Sequence, residues 1–110
     1  MIVLRYDAET DHLQARVLPA PEGETVRVQQ GKLVLDIDRE QKLVASFQVS
    51  DFKHFVNYHL LDELFGDQVV RQIAAFQSTV AAAPQRTQQI QAPAPPRSSR
   101  RVVDELLRAA

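Results

Sequence analysis

The sequence predicts an α+β fold: a small five-stranded antiparallel meander sheet packed by two helices, then a Pro-rich linker and a short C-terminal helix. Three observations predict it. Apolar and polar residues alternate with period two in five short runs before residue 50, the period lengthens to about 3.6 over residues 51–83, and proline and glutamine dominate residues 84–98. The centre of the pattern is Lys32 to Val49, K-L-V-L-D-I-D-R-E-Q-K-L-V-A-S-F-Q-V. Leu33, Leu35 and Ile37 line one face of its first arm; Leu43, Ala45, Phe47 and Val49 line one face of its return arm. A hairpin with one apolar face must be covered on that side.

Upstream, Ile2, Leu4 and Tyr6 alternate with Val3 and Arg5 in a first strand, and Asp7 to Asp11 forms a polar turn. Leu13, Ala15 and Val17 then mark a second strand opposite His12, Gln14 and Arg16. Pro19 to Gly23, P-A-P-E-G, lacks a regular series of N–H donors and reads as a loop. A third strand, T-V-R-V-Q, carries Val26 and Val28, and Gly31 turns the chain into the central hairpin. Short connections favour an up-and-down order.

Beyond Val49, Ser50 is placed to cap a helix whose stripe is Phe52, Phe55, Val56, His59, Leu60 and Leu64. Gly66 suits a left-handed helix end. Asp67 starts a second helix with Val69, Val70, Ile73, Phe76 and Val80 on one face. These elements close a unit over residues 1–83, followed by a flexible linker over 84–98 with a single large apolar residue, Ile90. Residues 99–110 form an amphipathic helix after Ser99, with Val103, Leu106, Leu107 and Ala110 on one face. A helix this short is marginal alone in water and requires a surface to fold against.

Tyr6 to Val17, Y-D-A-E-T-D-H-L-Q-A-R-V, and Leu33 to Val44, L-V-L-D-I-D-R-E-Q-K-L-V, together resemble the two signatures of a family of small bacterial proteins, domain of unknown function 2283. The resemblance covers residues 2–49. This chain departs from the family pattern at Gln41, where the family carries glycine, and at Ala45, Ser46 and Phe47, where it carries Gly-Ile-Glu. The resemblance implies a small bacterial sheet-based domain without an established activity, whose members resemble partners in two-protein modules.

Composition narrows the chemistry. There is no cysteine, which removes thiolate catalysis, disulfides and cysteine-zinc sites and fits a reducing compartment. No apolar run is long enough to span a bilayer and the start lacks a signal-peptide pattern, so a soluble, cytoplasmic protein without membrane contact is expected. The net charge of −1 hides an asymmetry. Residues 1–49 carry six Lys/Arg against eight Asp/Glu and residues 50–83 two against four, whereas residues 84–110 carry five Arg against two acids. The tail is thus the electrostatic attractor.

Asp36 and Asp38, two apart on a strand, with Asp7 or Asp11 nearby, are the only faint candidates for cation binding or acid–base work. Turn initiation and surface charge explain them better. His54 and His59 lie five apart on one helix, too far around its axis to chelate one ion, and His12 lies on a strand, so the histidines are expected to be structural. Gly23, Gly31 and Gly66 are isolated and form no phosphate loop; Ser46, Ser50 and Ser78 have no nucleophile-elbow setting. Neither cofactor nor metal is expected. The reading is a non-enzymatic protein-interaction module that docks a partner or a second copy, as a homo-oligomer, through Val103, Leu106 and Leu107 of the terminal helix, with Arg100 and Arg101 beside them. The alternative is a small nucleic-acid-associated or antitoxin-like regulator using the basic tail, although no aromatic residue follows Phe76 to stack on bases.

Overall fold

A computed structural model describes residues 1–82, 88–93 and 99–109. The fold is α+β, a six-stranded antiparallel sheet with three helices. Strands β1 (Ile2–Asp7), β2 (His12–Val17), β3 (Thr25–Gln30), β4 (Leu33–Asp38) and β5 (Leu43–Ser50) stand where period-two alternation predicts them. Their order differs from a meander. With β6 (Gln88–Ala92) the sheet runs β3-β4-β5-β2-β1-β6, so β5 rather than β3 lies beside β2. The loop over residues 18–24 crosses three strand spacings, about 14 Å, well within the roughly 23 Å that seven extended residues reach. The hairpin-connected strands β3, β4 and β5 and the neighbouring β2 form a Greek key.

The sixth strand corrects the linker. Gln88–Ala92, in the middle of the segment expected to be flexible, pairs antiparallel with β1, placing Ile90 opposite Leu4 and Ala92 opposite Ile2. Backbone pairing to an otherwise open edge orders this polar stretch, and Ile90 and Ala92 add side-chain burial. Residues 83–87 and 94–98 of the expected linker lie outside the described residues. The sheet and core therefore continue beyond residue 83.

One face of the sheet carries Ile2, Leu4, Tyr6, Leu13, Ala15, Val28, Leu33, Leu35, Ile37, Phe47 and Val49, all buried. In β5 the alternation slips. Asp36 pairs with Ser46 but Ile37 pairs with Val44, so Ala45 is the extra residue of a bulge and Val44, not Leu43 or Ala45, turns inward.

The helix expected from Ser50 is broken. Asp51 has φ 57°, Phe52–His54 makes a single 3₁₀ turn, and helix α1 spans only His59–Phe65. Gln77 explains the break. Its Nε2 donates to the carbonyls of Phe52 and Phe55, both at 2.7 Å, and its Oε1 accepts from Tyr58 Oη at 2.8 Å, replacing helical bonds with a side-chain bracket. Val56, expected in the apolar stripe, is 86 % exposed as a result. Gly66 (φ 93°) then separates α1 from α2 (Asp67–Ala82), which buries Val69, Ile73, Phe76 and Val80 as its pattern requires. Phe52 bridges the layers, its ring 5.9 Å from Tyr6 on the sheet and 6.2 Å from Phe76 on α2.

Helix α3 (Arg100–Ala109) completes the cover over β3 and β5 and touches α1. Its entry is fixed by Ser99, whose N–H donates to the Leu64 carbonyl and whose own carbonyl accepts from Val103.

Candidate functional site

The residues assigned to partner binding divide into two groups. Val103 is fully buried and Leu106 is 7 % exposed, both within the chain's own core together with Val102, while Leu107 is half-buried against it. The surface this amphipathic helix requires is thus its own sheet, and the apolar face expected to dock elsewhere is already covered. Arg100 and Arg101 are exposed on the other side of the helix. Ala110 lies outside the described residues.

α3 also brings charges together that are distant in sequence. Lys42, in the β4–β5 turn, places Nζ 3.0 Å from Asp104 Oδ1. That hydrogen bond, with further attraction from Arg100 and Arg108, holds the Asp104 carboxyl below its usual range. Around the pair opens a shallow cleft of about 430 Å³ lined by Arg39, Lys42, Asp104, Leu107 and Arg108, three cations to one carboxylate. The basic tail is visible in the sequence, but Arg39 and Lys42 come from a turn more than sixty residues earlier, and no local spacing ties them to it.

Asp36 and Asp38 do not act as a pair. Asp36 accepts from Arg27 (Nε, 3.1 Å) and Ser46 (Oγ, 3.1 Å) on the helix-free face. Asp38 is fully buried and accepts the backbone N–H groups of Gly23, Glu40 and Gln41 at 2.9–3.2 Å. It therefore caps its own turn and pins the β2–β3 loop to the sheet. A Cβ at Gly23 would lie 2.7 Å from Asp38 Oδ2, so only glycine permits this approach. Asp7 accepts from the Glu9 N–H.

A trio that sequence spacing did not reveal is Asp11, Asp51 and His54, with one donor atom from each lying within 4.8 Å of the others. Asp11 accepts from Tyr6 Oη at 2.7 Å and from the Lys53 N–H. Asp51 contacts Lys32 Nζ at 2.7 Å and His54 Nδ1 at 2.9 Å, and these bonds hold its carboxyl down at about 2. The Lys32 ammonium is already paired with the Asp51 carboxylate, and the cluster latches the 3₁₀ turn to the β1–β2 loop. The other histidines have local partners as well: His12 faces Gln48 at 3.1 Å and His59 faces Glu63 at 2.7 Å.

The helix-free face of the sheet carries Arg5, His12, Gln14, Arg16, Arg27, Gln29, Asp36 and Gln48. At one border lies β6, five residues long and followed directly by Pro93; at the other lies β3, six residues without proline or lysine. Thr25, Arg27, Gln29 and Gln30 are exposed along β3, and α3 packs beside it. No helix among the described residues is long and apolar enough to cross a membrane. A scan against protein-family models and searches of curated proteins and of solved structures find no match to this chain.

Proposed function

We propose that this chain is a non-enzymatic protein-interaction module that docks a partner or a second copy along β3, with the outer side of α3 as the flank of the same surface. The observation that carries the reading is the open β3 edge. It is a six-residue strand whose outward backbone groups have no strand partner among the described residues. Devices that natural sheets use against edge pairing are absent from it: proline, lysine, and a bulge turning the strand away. Its one charge, Arg27, is drawn onto Asp36 of the neighbouring strand. Adding a strand supplies affinity through main-chain hydrogen bonds and selectivity through alternate side chains. Arg100, Arg101 and Leu107 take part from the flank, whereas Val103 and Leu106 support the helix from beneath. The resemblance to domain of unknown function 2283 is part of the same proposal, which takes the protein as cytoplasmic and bacterial.

A photo-cross-linking side chain placed at Gln29 tests this, with the same group at Gln91 on the opposite border as reference. Cross-links to polypeptide from position 29 that disappear with Arg27→Pro support the reading. Equal yields from both positions, or none, overturn it. A second reading draws on the cleft of Arg39, Lys42 and Arg108, whose excess positive charge suits an anionic partner such as nucleic acid. Affinity falling steeply with salt and lost on Arg39→Ala/Arg108→Ala would favour it.

A further inference from the structure

The partner on β3 is identified by the strand's own pattern. Gln30 and Leu33 flank the two-residue loop Gly31–Lys32, with Gly31 at φ 62° in the first loop position, so they form the hydrogen-bonded pair that closes a tight hairpin. Counting back by twos, Val28 and Val26 spend their backbone groups on β4. Thr25, Arg27 and Gln29 turn theirs outward, and their side chains lie on the helix-free face.

An antiparallel copy of β3 related by a two-fold axis perpendicular to the sheet must pair residues of the same face. Two registers cover five strand residues. Centred on Arg27, the pairing sets Arg27 against its own copy, opposing like charges directly. Centred on Val28, it sets Val28 against Val28, Arg27 against Gln29 and Gln29 against Arg27, with Val26 and Gln30 paired beyond them. This second register opposes no like charges and uses the outward N–H and C=O groups of both Arg27 and Gln29. Registers centred farther along the strand pair only three of its residues. Resting on the interaction reading above, we infer that a second copy of this chain docks in the Val28-centred register, joining two six-stranded sheets into one of twelve strands through an isologous contact.

Sedimentation of the full chain over a concentration series tests the register through charges that leave the protomer's core untouched. Gln29→Glu places a carboxylate opposite Arg27 of the copy twice, and two such cross-strand pairs tighten the dimer roughly 2- to 30-fold. Gln29→Arg opposes like charges twice and weakens it by a similar factor, and Arg27→Pro removes an outward N–H from each copy. Opposite shifts for the Glu and Arg variants, with unfolding temperatures unchanged at concentrations where the chain is monomeric, support the inference. A wild-type chain that stays monomeric at the highest concentration while Gln29→Glu does the same overturns it. So does a dimer indifferent to both substitutions. In either case a position-29 cross-link to a different polypeptide preserves the broader reading, and absence of any such cross-link removes both.

Discussion

Replacing Leu106 by alanine tests whether α3 belongs to the fold. Leu106 is 7 % exposed and sits in the same cluster as Val102 and Val103. Three carbons leave a buried site, a transfer loss of about 2.4 kcal/mol at roughly 0.8 kcal/mol each. A partial cavity brings the total to about 2.5–3.5 kcal/mol. For a 110-residue chain, an unfolding entropy of about 2.1 cal/mol/K per residue converts each kcal/mol into roughly 4 °C, so the melting temperature falls by about 10–15 °C. Glu105→Ala, on the exposed side of the same helix, is the control and stays within roughly 0.5 kcal/mol. Thermal unfolding followed by circular dichroism measures both. If Leu106→Ala melts within the scatter of Glu105→Ala, the helix is not seated on the sheet and its apolar face is free for another chain.

Asp38→Ala leaves three loop N–H groups without their acceptor and lowers stability by on the order of 3 kcal/mol, whereas Asp36→Ala costs well under about 1 kcal/mol, as denaturant titration will show. Gly23→Ala destabilises in the same assay by forcing its Cβ against Asp38. Tyr6 is pushed up to about 12 by burial and then by Asp11, and Tyr58 to about 12 by burial. With both folded values above the ordinary 10, their stabilisation is complete below pH 10 and is lost as pH rises toward 12. Because the chain has two tyrosines and no tryptophan, ultraviolet difference absorbance should show phenolate appearing together with unfolding. Phenolate formation near pH 10 in a folded chain would contradict the burial assigned to them.

The five early strands were legible because a half-buried strand writes period two into its residues, and α2 because it buries one clean stripe. The sequence is silent where bonds come from far away. Residues 51–58 read as helix by spacing, yet the carbonyls of Phe52 and Phe55 are held by Gln77, whose place in the next helix nothing local reveals. Q-Q-I-Q-A reads as linker because it has one large apolar side chain, and becomes a strand because β1 offers it an edge. The β5 bulge reversed the inward assignment of Leu43, Ala45 and Val44 without changing composition. For the candidate site, the amphipathic face of α3 was visible but not its target, since a helix carries the same stripe whether it covers its own sheet or another's. The β3 edge was invisible because strand order is set by the crossing loop over residues 18–24 rather than by β3 itself.

Amide hydrogen exchange along β3, resolved residue by residue in dilute and concentrated solution, shows whether a second copy covers this edge. In dilute protein the N–H groups of Val26 and Val28 are protected by β4 while those of Arg27 and Gln29 exchange rapidly. With rising concentration Arg27 and Gln29 become protected as the edge is covered by a second copy. Rapid exchange of Arg27 and Gln29 at every concentration, with β4-facing amides protected throughout, would contradict it.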